Sequence, residues 1–428
     1  MILAHGLGGR ADLPIPLAFF TWGASIALVV SFVALGALWR RPRLAASSAG
    51  RELPGWAQAA RRIAGPILRL VGLGLFLLAL SAALWGSDSA VTNVAPVLLY
   101  VVLWIGGPIV SAVVGDVWRV LNPYDTLAAI GDWAKARRPD PGHWTAAVLL
   151  LSFLWMELAY HESDDPRAVG LWLSAYSVAV LAGAAVWGRD WVRRGEGFAG
   201  LFGLLAHIAP FFRDDDGTLR RRPPLSGLAQ VEVGRGTVPL VMIALGSTTF
   251  DGLSRTTWWQ DVVGQRQEWS LTAVNTAGLL WTIGMVTVAY LVATRLAARI
   301  GSKDPGEMAV AFAPSLLPIA LAYAVAHYFS LLVFEGQSAI ALLSDPYARG
   351  WDLFGTVDHR IDYTVISTDT ISWVQAGAIV VGHIAGVVAA HDRAVELWPL
   401  RQATRTQYPL LGVMVLYTVA GLALLLGA

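Results

Sequence analysis

The chain has 428 residues, of which 56% are apolar and 14% charged, with a net charge of +1 and no cysteine. Soluble domains carry charge on about a quarter of their residues, so this composition excludes an ordinary soluble protein. The missing cysteine removes disulfides, thiolate metal ligands and cysteine nucleophiles together, and the near-zero charge gives no argument for nucleic acid as a partner.

In chain order, the tail Met1–Pro16 has neither a basic start nor a small-residue cleavage site. The apolar block after it is too long for a signal peptide and reads as a retained span. Ten blocks follow the length rule for crossing a hydrocarbon layer, about 20 helical residues. They are Leu17–Trp39, Gly65–Trp85, Val94–Trp118, Trp144–Tyr160, Ala168–Trp187, Val238–Leu253, Leu271–Leu296, Met308–Phe334, Ile371–Ala390 and Leu410–Leu426, the fourth and sixth being the shortest. A helix satisfies its own backbone in lipid, and the short alternating segments of a β-barrel are absent from the pattern. The expected fold is an all-α, polytopic bundle with one transmembrane domain and the lipid bilayer as its surroundings.

Orientation follows from the basic residues. If the first span enters the cell, the segments 40–64, 119–143, 188–237, 295–307 and 391–409, together with Arg69, lie inside and hold 25 of the 31 Lys and Arg. The six on the other side are Arg10, Arg167, Arg255, Arg266, Arg349 and Arg360. The positive-inside rule then places both termini outside the cytoplasm of a bacterial plasma (inner) membrane. Between spans, Phe198–Phe212 is expected as an interfacial helix on the cytoplasmic face. The runs Asp214–Asp216 and Arg220–Arg222 read as solvated loop, the arginines also suiting anionic lipid. Glu335–Thr370 is expected as the longest outer loop, with the character of a lid.

Ionisable residues at membrane depth are costly and mark function by default. Glu157 and His161, four apart at the outer end of the fourth block, are expected to share a helical face. Asp251 follows in Ser247-Thr248-Thr249-Phe250-Asp251-Gly252, His327 in Ala326-His327-Tyr328-Phe329-Ser330, Glu335 at the end of that block, and His383 in Gly382-His383-Ile384-Ala385-Gly386. His391-Asp392-Arg393 falls at an inner end, and His5 lies in the outer tail. Carboxylates and imidazoles of this kind suit Zn²⁺ or Mn²⁺, which would supply a hydroxide nucleophile. The candidate ligands are His327, Asp251, His161, Glu157, His383 and His5. Counted along the helices, His327 lies about 10 Å from the outer surface and His383 about 18 Å. One ion joining both needs the kink that Pro314 and Pro318 offer.

Each residue also has a structural reading. Glu157 and His161 suit an interfacial pair, Asp251 a loop cap, and His391 and Asp392 a helix end. His383, with Gly382 and Gly386, suits a small-residue helix contact. Asn122-Pro123-Tyr124-Asp125 reads as a stop and turn. No P-loop, GxSxG elbow or HExxH is present, and no nucleotide cofactor is indicated.

Five segments together carry a family likeness: His5-Gly6-Leu7-Gly8-Gly9-Arg10-Ala11-Asp12-Leu13-Pro14, Arg119-Val120-Leu121-Asn122-Pro123, Ser247–Trp258, Ala311–Gln337 and Gly382–Arg393. In this combination the chain resembles the bacterial membrane proteins called fenitrothion hydrolases, along nearly its whole length. The resemblance implies hydrolysis of an organophosphorus triester at the bond to its aryl leaving group. It brings no residue roles with it, and the histidine-rich motif of soluble phosphotriesterases is missing. A small apolar substrate would reach the site through the bilayer, with Asp251 and Glu335 as the catalytic carboxylates and Glu335 as general base. Two other classes stay open: a transporter or channel using the same residues as an ion pathway, and a membrane partner-binding or assembly protein whose outside loops dock another chain.

Overall fold

The computed structural model describes residues 17–131 and 138–426. His5 and the rest of the N-terminal motif lie outside the described residues. Among the described residues, eight helices are long and apolar enough to cross a membrane, which makes this a helical, multi-pass membrane protein. They are α1 (Leu17–Leu38), α2 (Gly55–Trp85), α3 (Val94–Val114), α5 (Pro166–Trp187), α8 (Glu268–Gly301), α9 (Pro305–Ser344), α10 (Thr368–Leu397) and α11 (Tyr408–Leu426). Between them come the shorter α4 (Trp144–Leu158), α6 (Gly197–Leu205) and α7 (Thr237–Ser254). The outer surface is apolar: Leu70, Leu171 and Leu416 are 69%, 67% and 71% exposed. In water that surface would invite aggregation, whereas in hydrocarbon it is the solvated face.

Local chemistry sets the boundaries. Asn93 caps α3 by accepting from Ala95 N, and Asp165 caps α5 from Arg167 N and Ala168 N, with Pro166 in the first turn. Within α3, Val97–Gly106 winds as a π-helix. Pro314 and Pro318 fall in and just after a 3₁₀ turn, Ala313–Leu316, that interrupts α9 near its start. Proline frees backbone groups there, and the tighter turn takes up the break.

α7 is the central element. From Leu240 through Gly252 every residue is buried, so the helix meets protein and not lipid. That is why it tolerates Ser247, Thr248, Thr249 and Asp251: the three hydroxyls donate back to carbonyls of Ala244 and Leu245 on the same helix. α10 packs on α9 through small residues. A Cβ on Gly382 would stand 2.0 Å from Ala322 Cβ, and one on Gly386 2.9 Å from Ser315 O. The small-residue contact expected for this stretch is present.

The arginine-rich segments collect at one end of the bundle. Three short antiparallel strands, β1 (Arg51–Glu52), β2 (Phe211–Arg213) and β3 (Leu219–Arg221), form a sheet in the order β1-β3-β2, with Arg51 opposite Arg221 and Phe212 opposite Arg220. Gly50 makes the approach possible, because its φ is +62° and a Cβ would lie 2.6 Å from Arg221 O. At the same end Trp398 donates to Gly301 O.

Two expected segments differ. Phe198–Phe212 is not one surface helix. α6 is buried on nearly all its length against α3 and α4, followed by a 3₁₀ turn (Ala206–Ile208) and then β2. Phe198 meets Phe153 at 5.0 Å between ring centroids, and aromatic packing into the bundle outweighs the lipid surface. The loop expected over Glu335–Thr370 is shorter, because α9 continues to Ser344 through the apolar run after Gln337. Glu335 therefore sits inside a helix.

Candidate functional site

Asp251 sits in the last turn of α7 and is 2% exposed. Its carboxylate gathers three side chains. Tyr328 donates its hydroxyl to Oδ2 at 2.6 Å, and Arg255, one turn on, approaches Oδ1 at 3.5 Å. His327 Nε2 lies 2.7 Å from Oδ2. That contact is short but off the N–H axis, so neither ring nitrogen of His327 forms an aligned hydrogen bond among the described residues. The imidazole is stacked on Tyr323, 5.8 Å away at 17°, and meets Tyr328 edge-on at 4.8 Å. α9 supplies all three of these rings, because Tyr323 and His327 are four apart and Tyr328 is next in sequence.

Glu157, in the last turn of α4, lies within electrostatic reach of Asp251, Arg255 and Tyr328. Among the described residues its Oε2 is buried without a partner, and so are Arg255 Nε, the Tyr323 hydroxyl and His327 Nδ1. Leaving one buried polar atom unpaired costs about 1–3 kcal/mol. Four in one neighbourhood indicate a place where water or a ligand completes the bonding. Gly252 helps make the room, since a Cβ there would come within 2.5 Å of the Tyr323 hydroxyl.

Of the expected metal ligands, Asp251 and His327 meet, with Glu157 near them, and the others do not. α4 ends at Leu158, so His161 leaves the helical face it was expected to share with Glu157. Its backbone N–H donates to Thr272 Oγ1, its Nδ1 bonds the same hydroxyl, and its ring rests against Tyr160 and Trp269. His383 bonds Ile379 O through Nδ1 and turns its ring toward Tyr417, 6.1 Å away. The proline break in α9 lies nearer its start than His327 and does not carry His383 to Asp251. Glu335 lies two turns beyond His327, about 12 Å along the helix, and is not a member of the cluster. His5 falls outside the described residues. Among the described residues no three His, Asp or Glu side chains come together as an ion site. Both oxygens of Asp251 are engaged, and a guanidinium stands where a dication would be repelled. Among the described residues the donor set falls short of the three protein ligands of a catalytic zinc site.

His391 and Asp392 hold structure together. His391 bonds Trp39 O through Nε2 and Gln407 through Nδ1. Asp392 accepts from Trp39 Nε1 and from the backbone of Arg43, Leu44 and Ala45. Asn122 does more than end a span. It caps the short helix Pro123–Ile130 and donates to Glu196, which is fully buried and also accepts from Trp118, Tyr176 and the first amides of α6.

Sequence reasoning missed Arg255, Tyr323 and Tyr328. The four-residue step from Asp251 to Arg255 was a usable signal for an ion pair on one helix face. Compared with family models, with curated proteins and with solved structures, the chain finds no match.

Proposed function

We propose that this protein is a ten-span bundle with both termini outside the cytoplasm of a bacterial plasma membrane. The ten spans are the eight long helices together with α4 and α7, and the support is the 25-to-6 division of Lys and Arg between the two sides. In it, the Asp251–His327 pair is a general-base site in the outer half of the membrane that hydrolyses an apolar ester of the organophosphorus triester type. The reading rests on one observation: Asp251 engages one nitrogen of His327 and leaves the other, buried Nδ1 without a partner, amid other unpaired polar atoms.

The chemistry needs no resident ion. Asp251 favours the tautomer with its proton on Nε2, which leaves the Nδ1 lone pair to accept one. Water gives that proton to Nδ1 as its oxygen bonds to phosphorus, and the bond from phosphorus to the leaving aryloxide breaks. Arg255 offers positive charge to the developing phosphoryl anion. The off-axis contact of His327 is the kind that tightens when substrate arrives.

The test uses the full chain in nanodiscs with a nitrophenyl phosphotriester, which releases a coloured phenol. Hydrolysis is expected, with a loss of about 10²–10⁴-fold in His327→Gln and Asp251→Asn. No turnover by the parent chain, or equal turnover by the variants, sinks the reading.

One observation favours a second reading, a proton-coupled transporter. From Tyr323 a cavity of about 120 Å³ reaches Thr249 and Tyr417, which are bonded at 2.9 Å, and His383 follows with an unpartnered Nε2. Proton flux in proteoliposomes that His383→Leu abolishes would establish it; flux unchanged by that variant would remove it.

A further inference from the structure

A second polar centre lies at the arginine-rich end of the bundle. Asp125, 2% exposed, is held by Arg189 at 2.9 and 2.7 Å, by Arg69 at 3.2 Å and by Arg193 at 3.8 Å. Arg119 lies within electrostatic reach of Asp125 and Arg193, and Arg213 within reach of Arg61, Arg119 and Arg193. Among the described residues, the carboxylates facing these six guanidiniums are Asp116, Asp125 and Asp190, which leaves an excess of three positive charges there. Arg61 Nε and Arg193 Nε are buried with no hydrogen-bond partner among the described residues. Burial, and then the neighbouring Arg193, pushes the Arg119 guanidinium below its ordinary value, and burial with Arg119 and Arg61 does the same to Arg213. The cluster is short of negative charge.

Beside it runs an apolar cavity of about 590 Å³, between α2, α3 and α9. Phe76, Val102, Val110 and Ile340 line it, and the last three are 43%, 43% and 44% exposed, so the cavity opens sideways at the bundle's surface. Its arginine-side end is lined by Gly72, Trp118 and Tyr124. Each of these adjoins the cluster in sequence: Trp118 precedes Arg119, Tyr124 precedes Asp125, and Gly72 is one turn of α2 from Arg69.

We propose that cluster and cavity together bind one anionic phospholipid from the leaflet on the arginine-rich side. The phosphodiester lies on the guanidiniums of Arg61, Arg119 and Arg193, and an acyl chain fills the cavity. Arginine suits phosphate oxygens through its planar fork of donors, and basic pockets between transmembrane helices are lipid headgroup sites by the same chemistry. Open apolar walls facing hydrocarbon are filled by the chains already there. The excess charge then selects an anionic headgroup over a zwitterionic one. This inference stands whether or not the reaction at Asp251 and His327 is the one proposed.

The experiment is native mass spectrometry of the full chain in detergent, titrated with phosphatidylglycerol, phosphatidylcholine or inorganic phosphate. Phosphatidylglycerol is expected to be retained as a single adduct, phosphatidylcholine much more weakly, and phosphate not at all. Removing positive charge in Arg61→Gln and Arg119→Gln weakens phosphatidylglycerol roughly fivefold per arginine. Val110→Trp, which fills the cavity and leaves every arginine in place, weakens it as well. Equal retention of the two lipids by the parent chain overturns the proposal without recourse to any variant. Retention of phosphate equal to that of lipid, or arginine variants that bind as the parent does, overturns it too.

Discussion

The carboxylate of Asp392, near the end of α10, closes the N-terminus of the short helix that begins at Arg43. Oδ1 accepts from Arg43 N at 2.6 Å and Leu44 N at 3.1 Å, and Oδ2 from Ala45 N at 3.3 Å. An N-cap is ordinarily local, supplied by the residue just before the helix. Here Pro42 occupies that place with no side chain to offer, and a residue about 350 positions away supplies it. Asp392→Ala is expected to cost about 1–3 kcal/mol, because three amides and the Trp39 indole lose their acceptor. Thermal unfolding of the detergent-solubilised chain measures this. A melting temperature equal to that of the parent would contradict the capping role.

If the chemistry runs on Asp251 and His327 alone, chelation leaves it untouched. Hydrolysis after treatment with EDTA, followed by gel filtration, is expected at the untreated rate, with no stoichiometric Zn or Mn by elemental analysis. Loss of activity restored by one of those ions would return the metal to the mechanism and require ligands beyond the ones assembled here.

Three glycines on α10 separate packing from propensity. Gly382 and Gly386 face α9 at distances no Cβ tolerates, whereas Gly377 has nothing within 4 Å. Gly382→Ala and Gly386→Ala are expected to destabilise by about 1–3 kcal/mol through overpacking. Gly377→Ala gains up to about 1 kcal/mol from helix propensity. The same direction of change in all three would show that α9 and α10 do not approach as described.

Stability should fall in mild acid. Burial, and then Arg194, hold the His143 imidazole below its ordinary 6.5, and burial with Arg222 does the same for His207. A folded-state value below the unfolded one means that the unfolded chain takes up the proton first as pH drops. The stabilisation is therefore present above pH 6.5 and is lost progressively below it, until the folded-state values are passed. Melting curves between about pH 7.5 and pH 5.5 test this, and His207→Gln should flatten the dependence. A flat profile in the parent chain would refute it.

The helical, membrane-crossing architecture was readable in the sequence because hydrophobic length is a one-dimensional signal. Gly382 and Gly386 were readable too, since their spacing alone puts them on one face. The pairing of Asp251 with His327 was only half readable. Depth along each helix brought them to a similar level, but rotation about the helix axes, set by packing, decided that His383 turns to Tyr417 and His161 to Thr272. Helix ends misled in the same way. The apolar block ran on through Ala159 and Tyr160, whereas the helix stops at Leu158. Asp125 looked like a turn residue, and nothing local announces that Arg69 and Arg189 converge on it from other helices.

The π-helical stretch Val97–Gly106 has one further consequence. It presents Val102 to the large cavity and, on another face, Tyr100 and Trp104 to the rings of Phe153. π-helices arise mostly as single-turn insertions within an α-helix, so ten residues of one amount to a stored extra step. Deleting a single residue would let the segment relax to α-helix, which changes the angle between successive side chains and so the directions in which Val102, Tyr100 and Trp104 point. Both faces would be disturbed at once, so a length change in this segment should damage lipid retention and the aromatic packing on Phe153 together, where a point substitution on either face damages one.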